Sequence, residues 1–260
     1  MYKANLNFGT LKQRAMNILT GNWLVFFFFL FISTVSFILL APTEYILSFA
    51  GYNAELSMLD MFRVFIATSI SDSLMYTFTS AMYSILLFPR ENKNKFILVF
   101  KRANLIFPSA VIPILLTKVL FSFLAFLMSP VVYNRIYDIL LLNIISYPVF
   151  LIAVYTINII VSILSVYVTF AYILAPCINA HLPGLNGFSV LKYSRTLMKR
   201  CKFRMFLFVL SFVAWYILGA FVFGIGTLVV HSYMMTAILM FYREKHLDFI
   251  SNYVNTKTQV

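Results

Sequence analysis

The chain has 260 residues, of which 62% are hydrophobic and only 11% charged, and 29 are Phe. A soluble domain carries about 25% charged residues, so a water-soluble fold of this length is excluded and lipid must solvate much of the surface. The net charge of +12 points to anionic lipid rather than nucleic acid, because the basic residues stand beside apolar runs instead of forming a soluble patch.

Residues 1–21 carry Lys3, Lys12 and Arg14 and no acid. Leu11, Ala15, Ile18 and Leu19 recur at helical spacing, which predicts a short amphipathic helix lying on the membrane surface. Residues 22–40 hold no charge and are long enough to span the hydrocarbon. A signal peptide would have a shorter apolar core and a small-x-small cleavage site, so this run reads as a retained span. Residues 41–70 are less apolar, with a partly amphipathic helix expected near 59–66. A second span is expected over 71–88 and a basic surface helix over 95–102. A third span follows over 105–128, kinked at Pro113, which cannot donate to the carbonyl of Ser109.

Residues 139–175 are apolar throughout, too long for one straight span and too short for two with a turn. The reading is a fourth span over 147–175, then a loop over 176–187 and a basic amphipathic helix over 188–204. Two further spans, 206–222 and 227–242, form a hairpin about the Gly224-Ile225-Gly226 turn. Residues 246–260 read as a polar tail. The fold class is therefore an all-α polytopic membrane protein, a single domain over 1–245 with about six transmembrane helices and short basic amphipathic surface helices.

Seventeen Lys and Arg fall on one side of these spans and only Arg63 and Arg135 on the other, which places both termini in the cytoplasm. The expected location is the cell membrane. Cys177 and Cys201 fall on the reducing side, so no disulfide is expected. Three times a basic surface helix precedes a pair of spans, a hint of an internal repeat.

No phosphate-binding Gly-rich loop, His-Glu-x-x-His, Gly-x-Ser-x-Gly or Cys-x-x-Cys occurs. The sequence thus points to no catalytic residues, no cofactor and no metal. His181, His231 and His246 are scattered over two loops and a span, and His231 is expected to bond to a neighbouring helix. Two intramembrane features stand out. Tyr155, Asn158, Ser162, Ser165, Thr169 and Tyr172 share one face of the fourth span, lining either a helix contact or a solute path. Lys118 lies deep in the third span, roughly 15–20 Å from either end, and Asp72 is the acid placed to reach it, with Tyr76 and Ser80 on the same face. Lys192, Arg195, Lys199 and Arg200 are the candidate contacts to anionic headgroups.

Leu11-Lys12, Ala15, Leu19 and Gly21-Asn22-Trp23 at the start, and Ser194-x-x-Leu197-Met198, Trp215, Gly219, Gly224-Ile225-Gly226 and Phe241-Tyr242-Arg243 near the end, resemble a bacterial integral membrane family, domain of unknown function 975. The resemblance implies a polytopic helical protein without known catalysis. The chain departs from the family pattern at three places. His181-Leu182-Pro183 stands where an acid precedes the Pro, Arg200 where a Gly often follows Met-Lys, and Ser232-Tyr233 where a Pro usually precedes the Tyr. Three roles follow as expectations: a non-enzymatic accessory or protective protein, with a membrane protein partner or a second copy; a small-solute transporter or exporter; and, least supported, an intramembrane enzyme.

If Lys118 and Asp72 pair, Lys118→Met or Asp72→Asn alone lowers thermal stability in detergent, and the double variant recovers much of the loss. Additive losses across the four variants would show that the two side chains do not interact.

Overall fold

The computed structural model describes residues 7–40, 58–88, 94–107, 147–221 and 225–258, and all of its regular structure among these is helical. The elements are α1 (Phe8–Leu19), α2 (Trp23–Leu40), α3 (Met58–Leu87), α4 (residues 95–107), α5 (Tyr147–Tyr172), α6 (Ala175–His181), α7 (Gly187–Leu197), α8 (Lys202–Leu210), α9 (Val213–Ala220) and α10 (Ile225–Thr258). Two stretches, 148–181 and 202–220, are long and apolar enough to cross a membrane. A third qualifies if α1 and the start of α2, bent by 89° at their junction, are one span.

Helix boundaries follow local chemistry and correct several expectations. α3 runs unbroken for 30 residues because it contains neither Gly nor Pro, so the short helix expected near 59–66 and the span expected over 71–88 are one element. It stops just before Phe88-Pro89, where the residue preceding Pro leaves the helical region. α5 ends at Tyr172, three residues short of the expectation. Pro176 lacks an N–H and would clash with the carbonyl of Tyr172, so the chain breaks and restarts as α6 with Pro176 in its first turn. The loop expected over 176–187 is thus half helix. The span expected over 206–222 begins earlier, at Lys202, and is interrupted at Ser211-Phe212. The Lys12 ammonium donates to the Ser211 carbonyl at that break and lies 4.3 Å from the Phe212 ring centroid. α10 does not stop at Tyr242. It continues to Thr258, so most of the expected polar tail is helix. Nothing in Arg243–Thr258 breaks a helix, and Lys245 pairs with Asp248 one turn on. The third span's residues beyond 107, including Lys118, lie outside the described residues.

The amphipathic helices overturn a second expectation. Leu11, Ala15 and Leu19 of α1 have no solvent exposure, but protein rather than lipid covers them. Leu11 and Ala15 join a core with α6, α7, α8 and α10, while Leu19 joins one with α2, α3 and α4. α4 buries Leu98, Val99, Ala103 and Ile106, and α7 buries Val190, Ser194 and Leu197, in the same way. A 3.6-residue period shows that a helix has an apolar face; it does not say whether lipid or protein will cover it.

The three helices also start alike. Asn7, Asn94 and Asn186 precede them, and each Asn carbonyl accepts the first helical bond, from Leu11, Leu98 and Val190, at 3.1 Å in every case. The Asn7 side chain also caps its helix by accepting from Gly9 N–H; that of Asn186 makes no such bond. The exits of α1 and α7 match as well. Asn22 N–H bonds to Leu19 C=O across Gly21, and Cys201 N–H bonds to Met198 C=O across Arg200. Gly21 and Arg200 are the positive-φ residues found among the described residues, at 82° and 67°. The sequence hint of a repeat thus has a backbone counterpart.

The final hairpin closes on glycine. A Cβ on Gly219 of α9 would lie 2.7 Å from the Gly226 carbonyl carbon, and one on Gly226 of α10 would lie 2.6 Å from the Gly219 Cα. Backbones this close leave no room for a methyl group on either side.

A left-handed conformation costs a non-glycine residue about 1 kcal/mol or more. Arg200→Gly therefore raises the thermal unfolding midpoint in detergent, whereas Gly219→Ala lowers it and loosens the hairpin. An Arg200→Gly variant less stable than the parent would show that the side chain's contacts outweigh the backbone strain.

Candidate functional site

α6 brings the chemistry together. It is seven residues long, and Ala175, Cys177, Ile178, Asn179 and Ala180 are all buried. Its small side chains let α3 approach closely, and Tyr76, Tyr83 and Tyr242 pack around it. Tyr83 of α3 donates to the Met235 carbonyl of α10 at 2.8 Å. Asn179 donates to the Tyr76 hydroxyl of α3 at 3.1 Å, while its Oδ1 is buried without a partner among the described residues. Such an unmet acceptor costs about 1–3 kcal/mol.

At the end of α6, two histidines far apart in sequence meet. The His181 and His246 ring centroids are 4.7 Å apart, edge to face. His181 Nδ1 shares a 2.9 Å hydrogen bond with the Tyr242 hydroxyl, and His246 Nδ1 shares one of 2.8 Å with the Tyr193 hydroxyl. Tyr242 also stacks on His246. The four side chains tie α6, α7 and α10 together. Burial holds the His246 imidazole below its ordinary value, and the neighbouring His181 adds to that. Burial likewise pushes the Tyr193 hydroxyl up. Such a cluster can hold the end of α10 against α7 and release it when a proton is added.

Sequence reasoning placed these histidines apart, so the cluster is a correction. His231 bonds through Nδ1 to the Tyr216 hydroxyl of α9 at 2.9 Å, a neighbouring helix as its depth in the span requires.

The sequence-selected residues are placed as follows. Lys118 lies outside the described residues, so its pairing with Asp72 is not on view. Asp72 is half-buried on α3. The Tyr76 hydroxyl is engaged by Asn179, and the Ser80 hydroxyl donates to its own helix at the Tyr76 carbonyl. Ser73, Thr77 and Ser84 also turn back onto the α3 backbone. Along α5, Tyr155, Ser162 and Thr169 are exposed and Ser165 and Tyr172 half-buried among the described residues; Asn158 lies on the same helix. They are not gathered into a shared site. Lys192, Arg195, Lys199 and Arg200 are all exposed around α7 and its exit turn. Cys177 is buried and Cys201 half-buried, both as free thiols. Among the described residues, no group of three or more His, Cys, Asp and Glu could hold a metal ion.

The sequence profile described as Protein of unknown function (DUF975) matches residues 7–246. The chain belongs to the DUF975 family. No curated protein and no solved structure matches it. The DUF975 match begins at Asn7, the cap of α1, and ends at His246, so it spans the three helix starts at Asn7, Asn94 and Asn186 as well as the His–Tyr cluster.

His246 favours its neutral form in the fold, so the stability it contributes is full above its ordinary value of about 6.5. That contribution is lost as pH falls from there to the lowered folded value. Amide hydrogen-exchange protection over residues 244–254, taken relative to the intrinsic rate at each pH, therefore falls as pH is lowered from about 7.5 to 5. His246→Gln flattens this dependence. An unchanged pH profile in that variant would assign the effect to other groups.

Proposed function

We propose that this DUF975 chain is a non-enzymatic accessory or protective protein of the bacterial cytoplasmic membrane, associated with an exporter or with resistance to membrane-active peptides. In this reading it has six spans, both termini in the cytoplasm, and basic corners that meet anionic lipid. One observation carries the reading. The apolar face of α7 is locked into the protein core while Lys192, Arg195, Lys199 and Arg200 all stay exposed. The core holds the helix in place, so its cations are presented rather than consumed. The right-angled junction of α1 with α2 supports the same arrangement, with one helix along the membrane plane and the next across it.

A small-solute transporter or exporter is the second reading, favoured by the exposed polar face of α5. Solute flux in liposomes, with and without Lys118→Met, separates the two. A flux that depends on Lys118 would favour transport.

Each cation near an anionic surface contributes about 1 kcal/mol. Replacing Lys192, Arg195, Lys199 and Arg200 together by Gln therefore reduces the anionic lipid retained on the detergent-extracted protein. Retention equal to that of the parent would defeat the electrostatic reading. Reporters fused within 92–95, within 199–202 and in the tail report cytoplasm, and one near Tyr52 reports the outside. A tail found outside would require an odd number of spans and sink the topology.

A further inference from the structure

A groove of about 350 Å³ runs between α1 and α10. That volume lies at the lower end of the range of small-molecule sites, about 300–1,000 Å³. Arg14 and Asn17 line it from α1, and Arg243 and Glu244 from α10. We propose that this groove binds the phosphodiester headgroup of an anionic phospholipid.

The charges are arranged for such a ligand. The Glu244 side chain is only 7% exposed, and its Oε1 accepts from Arg14 Nη1 at 2.5 Å. A buried carboxylate thus fixes the position of Arg14 without consuming it. One of five guanidinium N–H groups is used and the rest stay free to donate. The Arg14 side chain is 54% exposed and lines the groove. Arg243 is exposed and makes no hydrogen bond or ion pair among the described residues. Two guanidiniums against one carboxylate leave a single positive charge, which matches one phosphodiester. Guanidinium is also the cation best shaped to grip phosphate oxygens in pairs.

Ile18 of α1 and Met240 and Leu247 of α10 complete the lining, so the groove offers apolar contacts for the glycerol and upper acyl carbons beside its charges. The level is right as well, and here the proposal rests on the membrane reading above. α1 turns 89° into α2, which keeps Arg14 near the bilayer plane when α2 crosses. Arg243 directly follows the apolar run ending at Tyr242, where hydrocarbon gives way to headgroups. The site is separate from the α7 cations, which lie on another element.

The test uses the full chain in a neutral detergent, with phosphatidylglycerol titrated in and the thermal unfolding midpoint followed. The parent shows a saturable rise. Arg243→Gln, an exposed change, needs at least fivefold more lipid for half the rise. Lys101→Gln, an exposed change of the same charge on α4, saturates like the parent, which separates this site from a general effect of net charge. If Arg14→Gln, which takes the arginine partner from buried Glu244, yields no folded protein, Arg14→Gln/Glu244→Gln replaces it, and its lipid affinity also falls. An Arg243→Gln curve equal to the parent's would overturn the proposal. So would an equal rise from inorganic phosphate or glycerol 1-phosphate, which would make the ligand a soluble anion. An equal rise from phosphatidylcholine would do the same for the charge match.

Discussion

Everything described here leans on the sealing of amphipathic helices against protein. α1, α4 and α7 each carry a basic face and an apolar face, and each spends its apolar face on the core. Removing a Leu or Ile side chain from such a place costs about 2–5 kcal/mol, whereas a surface cation contributes about 1 kcal/mol or less. Packing therefore decides where these helices sit, and their charges follow. Once α1 is fixed, Lys12 meets the break between α8 and α9, the Tyr233 hydroxyl donates to the Lys12 carbonyl, and Arg14 meets Glu244. The position of the first helix thus depends on the last one, which lies more than two hundred residues away in sequence.

Much of the fold was legible because apolar runs and helix breakers act locally. The uncharged run from Trp23 to Leu40 announced α2 directly. Pro176 explains the break after Tyr172, although the sequence reading put the end of the helix three residues too late, at Ala175. Composition misled at the end of α10. Polar residues suggested a tail, but polarity does not end a helix when no Gly or Pro follows. Periodicity misled at α1 and α7, because it reports a face and not its occupant.

The candidate site was less legible because its parts come from distant stretches. His181 and His246 share no local pattern, and only the packing of α6 against α10 brings their rings within 4.7 Å. Arg14 and Glu244 are a similar case, at opposite ends of the chain. By contrast, the turn residues Gly21 and Arg200 carried a local signal. Each follows a basic amphipathic helix that the sequence reading set before a pair of spans, and the backbone shows both in the left-handed region. Membership in a family of unknown function agrees with this balance: the frame can be read, while the purpose depends on sites assembled at long range.

The unbroken length of α10 has a mechanical consequence. At 1.5 Å per residue, His231 and His246 lie about 22 Å apart along one rigid rod. Near its start the rod is pinned by the Gly219–Gly226 backbone contact; farther along it carries the two histidine–tyrosine linkages. A tilt at the glycine fulcrum cannot be absorbed by a hinge within the helix, since it has no Pro and no Gly after Gly226. The glycine contact and the tyrosine-bound histidines are thus two ends of one lever.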